Sequence, residues 1–256
     1  MRKLISGFAW IIAPLILSAC SLPVTPTPPQ ANVSCNELSF YLDPVLGNGT
    51  ECEIVPESIE TDIPMDIFTY PTHTEVTIQN YPLMKTQFSP MIYIYPVERF
   101  SQLLPDTLPR RVSDLKMIIS DGTWSRGVLP FLPPNPQIQT FFAHVKVISF
   151  QGGQGVRFIT EYSDGPFPIN NKSILYTFQG LTDDGTYWVA VTLPISTPIL
   201  PDNDVLPEGY TDESLIQNFN AYGKSVKEAI EKQEPASFLP TLATLDRLVE
   251  SIFIRK

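Results

Sequence analysis

The chain has 256 residues, 43% hydrophobic and 17% charged, and its 27 Asp and Glu against 17 Lys and Arg leave a net charge of −10. That acid excess argues against a nucleic-acid partner, which needs basic patches to displace phosphate counterions. It argues equally against peripheral docking on anionic lipid, where basic clusters make the contact.

At the N-terminus, Arg2 and Lys3, the apolar stretch Leu4 to Leu17 and the small pair Ser18-Ala19 read as a secretory signal over residues 1–19. The apolar run is shorter than the roughly 20 residues a membrane-spanning helix needs, and Pro14 interrupts it. Leu17-Ser18-Ala19-Cys20 resembles a bacterial lipobox. The resemblance implies lipidation: a diacylglyceryl group on the Cys20 thiol, with Cys20 as the first mature residue. The expected location is therefore the cell membrane, lipid-anchored at the extracytoplasmic face. Losing Arg2 and Lys3 with the signal takes the net charge from −10 to −12.

Residues 20–34 then read as the lipidated cysteine and a spacer. Its sequence SLPVTPTPPQANVS has four prolines and no charge, and a segment of that kind runs extended rather than packing a core. Residues 35–256 are expected to form a single α+β domain. Cys35 and Cys52 are the two cysteines left in an exported chain, and an even remainder in an oxidising compartment suggests one disulfide. A metal pair is the poorer reading, since no Cys-x-x-Cys spacing or nearby histidine accompanies them.

Residues 75–81 and 91–97 read as strands closed by Tyr81-Pro82 and Tyr95-Pro96. Lys116 to Ser120 fits a short strand or a helix–strand junction. Residues 129–138, LPFLPPNPQI, read as a long surface loop, because four prolines remove donors and fix φ. Residues 141–150 and 156–162 are β-branched and aromatic and flank Gln151-Gly152-Gly153-Gln154-Gly155, a hairpin signature. Residues 173–181 and 186–193 form a second hairpin through Asp183-Asp184-Gly185. Its alternation puts Ile174, Tyr176 and Phe178 on one face and Tyr187, Val189, Val191 and Leu193 on one face of the partner, as half-buried antiparallel strands would.

Beyond residue 210 the period changes. Thr211 caps a helix whose apolar positions run through Leu215, Ile216, Phe219, Tyr222, Val226 and Ile230. Pro235 and Pro240 break it, and a second helix carries Leu242, Leu245, Leu248, Val249, Ile252 and Phe253 on one stripe. The fold class that follows is α+β, an antiparallel β-sheet packed against C-terminal helices.

Residues 155–195, GVRFITEYSDGPFPINNKSILYTFQGLTDDGTYWVAVTLPI, with the ending FLPTLATLDRLVESI at 238–252, resemble a family of uncharacterised bacterial lipoproteins. That likeness implies no activity. A sheet followed by a C-terminal helix ending in Leu-x-x-Leu-x-x-Ser is similar, through its order of elements, to the Mog1/PsbP-like α+β sandwich.

No reaction is identified by the remaining motifs, and no catalytic residue, cofactor or metal ligand is assigned. His73 and His144 are the two histidines. His144 reads as a strand-surface residue beside Lys146, and His73 as a loop residue whose ring Glu75 could orient. A serine hydrolase would need one of them, and no Gly-x-Ser-x-Gly elbow supplies its nucleophile. Ser113-Asp114-Leu115-Lys116 satisfies Ser-x-x-Lys, but the companion Ser-Asp-Asn and Lys-Thr-Gly motifs are missing. The glycines at 152, 153 and 155 join strands and lack the helix and Lys-Ser pair of a phosphate loop. Asp202, Asn203, Asp204 and Glu208 offer oxygens off the EF-hand spacing, and read as a solvated loop rather than a calcium site. Glu161 and Asp164 with Asp183 and Asp184 are the carboxylates that could pair in a glycosidase.

Tyr70, Tyr81, Tyr93, Tyr95, Trp124, Tyr162, Tyr176, Tyr187 and Trp188 exceed the needs of a small core. Either some form a contact surface, or they pack between sheet and helices. The functional expectation is a non-enzymatic binding or interaction domain for an envelope component or partner protein. The alternatives are an envelope-polymer hydrolase using carboxylates such as Glu161 and Asp183, and an accessory factor in assembling a membrane complex.

Overall fold

A computed structural model describes residues 29–60, 66–123 and 127–255. Cys20 and the signal segment lie outside the described residues, as does Trp124.

The chain opens with strands β1 (Val33–Cys35), β2 (Leu38–Phe40) and β3 (Gly49–Val55). Then come β4 (His73–Gln79), β5 (Met91–Pro96) and helices α1 (Val97–Leu103) and α2 (Leu108–Asp121). The long strands β6 (Ile138–Phe150), β7 (Gly153–Ser163), β8 (Ile174–Thr182) and β9 (Tyr187–Pro194) follow. Helices α3 (Asp212–Glu231) and α4 (Leu242–Glu250) and the short strand β10 (Phe253–Ile254) end it. Seven strands form one antiparallel sheet in the order β3-β4-β5-β9-β8-β7-β6, and β1-β2-β10 form a second. The fold is α+β, as the sequence leads one to expect.

Helices cover both faces of the large sheet. Ile92, Ile94, Tyr176, Phe178, Val189 and Val191 pack in one core with Leu215, Tyr222 and Ile230 of α3 and Leu245, Leu248 and Val249 of α4. Tyr95, Val156, Phe158, Trp188 and Ala190 pack in the opposite core with Phe100 of α1 and Leu108, Leu115 and Ile118 of α2. The expected face assignment of the second hairpin is therefore right, but its half-burial is not: β8 is buried at every position, because a sheet roofed on both sides has no solvent face.

Three other expectations are corrected. Lys116 to Ser120 lie inside α2, whose apolar positions recur at helical spacing and whose early proline is harmless where the N–H has no intrahelical partner. The segment 129–138 is irregular but not a surface loop, since Leu129, Phe131 and Leu132 are buried. Gln179 of β8 pins it there: its Oε1 accepts from the Leu132 N–H at 2.9 Å and its Nε2 donates to the Leu132 carbonyl at 3.1 Å, as a strand neighbour would. The stripe of α4 stops at Glu250, and Phe253 is 45% exposed in β10.

Residues 35–60 join the main body at two places. β3 pairs along β4 at the edge of the large sheet, while β2 sits between β1 and β10. Cys35 of β1 and Cys52 of β3 form a disulfide with their Cα atoms 5.9 Å apart, which ties the small sheet to the edge of the large one.

Candidate functional site

The concave surface lies at one corner, where β6 begins and β7 ends. A cleft of about 420 Å³ is walled by Arg110 and Arg111 of α2, by the segment Val128 to Phe131, and by Gln137, Gln139 and Tyr162. A second depression of about 380 Å³ shares Gln137 and Tyr162 with it and continues to Glu161, Asn170, Ser173 and Asp204. The two depressions adjoin at Gln137 and Tyr162, the first bearing the cationic groups and the second the acidic ones, and the pair is the corner groove.

The lining is held firmly. Gln139 Oε1 accepts from the Leu129 N–H at 2.8 Å while its Nε2 donates to the Tyr162 hydroxyl at 3.0 Å. Gln87 Nε2 donates to Gln137 Oε1 at 2.8 Å and to the Tyr162 carbonyl at 3.0 Å. The rings of Phe131 and Tyr162 pack against each other, tilted by 39° with centroids 4.6 Å apart. Arg111 Nη1 donates to the Phe131 carbonyl at 3.1 Å, and burial pushes its guanidinium below the usual arginine range despite the field of Asp66.

At the acidic end, Glu161 is 2% exposed and accepts a short hydrogen bond from the Thr140 hydroxyl. Burial raises its carboxyl above the usual range, and the neighbouring Asp204 pushes the same way against hydrogen bonds from Thr140 and Ser173. Asn170 Nδ2 donates to Asp204 Oδ1 at 2.6 Å, Asn171 Nδ2 to Asp202 Oδ1 at 3.0 Å and Lys172 Nζ to Asn203 Oδ1 at 2.6 Å. The loop read as merely solvated is thus buttoned, residue against residue, onto the turn before β8. Glu208 is exposed, and no group of three metal-ligating side chains occurs among the described residues.

The carboxylates grouped in the sequence do not all meet. Glu161 pairs with Ile174 at one end of the β7–β8 ladder, while Asp183 follows Thr182, the partner of Gly153 at the other end. Eight residue steps at about 3.3 Å put them more than 20 Å apart, far beyond the roughly 5–9.5 Å of a glycosidase pair. Asp183 and Asp184 line a separate depression with Tyr187 and Phe253.

Both histidines are engaged. His73 opens β4, 5% exposed rather than on a loop, with Nδ1 2.8 Å from the Pro71 carbonyl and Nε2 3.0 Å from Glu75 Oε1. Glu75 does orient the ring, but neither nitrogen is left to face a substrate. His144 stands at a bulge of β6 with φ +51°, its Nε2 2.9 Å from the Ile230 carbonyl. Ser113 and Lys116 lie on the exposed side of α2. Gly152 makes the two-residue turn of the first hairpin, and Gly153 and Gly155 belong to β7. The aromatic residues are largely core: Tyr81, Tyr95, Tyr162, Tyr176 and Trp188 are each at most 5% exposed, and of these Tyr162 borders the groove.

Arg110, Arg111, Gln137, Gln139 and Asn170 were not marked by any motif. The one trace in the sequence is an adjacent arginine pair in an acidic chain; nothing local says that it borders a cleft built by residues 128–139 and 162.

Comparison with known proteins gives no match: no family model fits the chain, and neither a curated protein nor a solved structure is similar to it.

Proposed function

We propose that this is a lipid-anchored extracytoplasmic binding protein, held to the membrane through Cys20, that takes an envelope component or a partner protein in the corner groove. The groove carries the reading. It has the volume of a small-ligand site, a few fixed polar groups and aromatic walls, the combination that ligand sites share. The spacer at 21–34 would hold it clear of the bilayer.

Ile138 is 70% exposed on the rim of the groove, whereas Ile216 is 60% exposed on α3. A photo-crosslinking amino acid at position 138 of the full chain in its own membranes should trap a defined partner, and the same group at 216 should not. Equal capture from both, or none from 138, overturns the reading. The anchor is tested apart from it: Cys20→Ala should release the protein from the membrane fraction and abolish labelling by a fatty-acid analogue.

Hydrolysis of an envelope polymer is the second reading, favoured by one observation: buried Glu161 with its carboxyl raised beside Asp204 in the groove. A carboxyl whose hold on its proton is strengthened by burial is what a general acid needs. Asp183 takes no part in it. Loss of activity on wall polymers in Glu161→Gln, at unchanged fold, would support this reading, and unchanged activity would remove it.

A further inference from the structure

Three described arginines have carboxylate partners, and Arg255 at the chain's end donates to the Asn36 carbonyl. Arg99 meets Glu57 at 2.6 Å, Arg157 meets Asp246 at 3.0 Å and Arg247 meets Asp43 at 3.0 Å. Arg110 and Arg111 differ. Among the described residues neither has a carboxylate within 4.0 Å, although acids outnumber bases 27 to 17. Among the described residues, Arg110 Nη2 donates to the Asp106 carbonyl at 3.3 Å and Arg111 Nη1 to the Phe131 carbonyl at 3.1 Å. A guanidinium carries five N–H donors, so the described residues take up only part of each fork. Asp66, whose charge acts on Arg111, accepts from the Thr107 hydroxyl at 3.0 Å.

The two guanidiniums are adjacent in sequence, both border the cleft, and Arg111 is partly withdrawn from water against Phe131. Like charges side by side repel, and the repulsion grows as water is excluded. An oxyanion between them would turn that repulsion into two charge-assisted hydrogen-bond sets, the geometry that a planar fork supplies and a lysine does not. The backbone end of α2 adds little: Leu108 N–H donates to the Leu104 carbonyl, Arg111 N–H donates to the Thr107 carbonyl, and Pro109 has no N–H. The attraction belongs to the side chains.

We propose that Arg110 and Arg111 form an oxyanion-binding site in this cleft, for a carboxylate or phosphate on a small polar molecule or on one unit of a polymer. The inference rests on the groove being a binding site and names the chemistry of its cationic end. Phe131 and Tyr162 close the wall behind the anion. Asp114 borders the same cleft, is itself engaged, and opposes the anion by its charge.

The test uses the full lipidated chain in detergent at low salt, titrated calorimetrically with glycerol 3-phosphate and with glucuronate, and with glycerol and glucose as neutral counterparts. At least one anion should bind saturably and its neutral counterpart should not; which anion binds tells a phosphate from a carboxylate source. Arg110→Gln, an exposed position, and Arg111→Lys should each weaken binding roughly tenfold at unchanged melting temperature, and Asp114→Asn should strengthen it. Equal binding of charged and neutral probes, indifference to all three substitutions, or no binding of either anion overturns the assignment. Capture from position 138 decides separately whether the groove binds anything, so the two failures are distinguishable.

Discussion

At the residue scale the most consequential group is Asp246 of α4. Its carboxylate accepts from Arg157 Nε at 3.0 Å and Nη2 at 3.1 Å, from the Tyr176 hydroxyl at 3.0 Å and from Lys146 Nζ at 3.1 Å. Arg157 Nη1 also donates to the His144 carbonyl, which the bulge in β6 turns toward it. One acid thus locks α4 onto three strands in a buried setting, where removing one partner strands the other. Asp246→Ala should cost about 3–5 kcal/mol in urea unfolding, and the apolar pair Arg157→Met with Asp246→Leu should cost less than the single change. A double variant worse than Asp246→Ala would show net stabilisation by the pair itself. Glu161 is the opposite case. Its raised carboxyl holds a proton in the folded state at pH values where the unfolded chain has released it. The stability it contributes is complete below the unfolded value, about 4.3, and is lost as pH rises through the raised folded value. Glu161→Gln should therefore match the natural protein near pH 4 and melt higher at pH 7. An equal difference at both pH values would mean that the charge is not what the site resists.

At the element scale, the strands from β4 to β9 were legible because β-branched and aromatic residues alternate there and Asp-Asp-Gly or Gly marks the turns. What the sequence could not convey was burial on the second face. Thr177 and Gln179 alternate with Tyr176 and Phe178, and so imitate a solvent face, yet Gln179 spends its polar atoms on Leu132, Thr177 and the Trp188 indole. Helix α2 was hidden by Met117-Ile118-Ile119, which taken alone suits a strand; only the longer spacing Leu108, Leu115, Ile118 shows the helix. The short strands β1, β2 and β10 have no period to read, because each has only two or three residues and β10 is fixed by a partner, β2, more than two hundred positions away. Glycine placement within the hairpin makes a test. A Cβ at Gly155 would stand 2.4 Å from the Gln179 carbonyl oxygen and 2.5 Å from the Phe178 ring, whereas at Gly152 nothing lies within 4 Å and the obstacle is a φ of +88°. Gly155→Ala should destabilise by about 2–3 kcal/mol through overpacking, against about 1 kcal/mol for Gly152→Ala. The order is checked by unfolding both in urea, and its reversal would show that the sheet can shift to admit a methyl group.

At the scale of the whole molecule, the groove and the N-terminal sheet occupy different parts of one architecture. The groove is built where α2, the 128–139 segment and the end of β7 converge, a meeting of residues distant in sequence, which is why neither its arginines nor its amides could be grouped beforehand. The N-terminal sheet is where an anchor at Cys20 would pull. β2 is gripped by β10, and the Arg255 N–H donates to the Glu37 carbonyl at 2.7 Å, so both ends of the described chain share one small sheet. Among the links that keep that sheet in place are the packing of Leu38 and Phe40 in the α3–α4 core, the bridge between Phe253 and Gln151, and the Cys35–Cys52 bond to the edge strand β3. The packing persists without the bond, so the fold should survive its loss at reduced stability. Closing a loop of this length is worth about 3 kcal/mol in the chain-entropy model. In the natural protein, thiol trapping should label neither cysteine until reductant is added. In the variant Cys35→Ser, Cys52→Ser, amide exchange should accelerate first in β1, β2 and β10 and leave β7 and β8 protected, because local opening follows the weakest ties. Uniform loss of protection would instead mean that the small sheet and the large one open as a single unit, and that tension on an anchor at Cys20 would reach the groove.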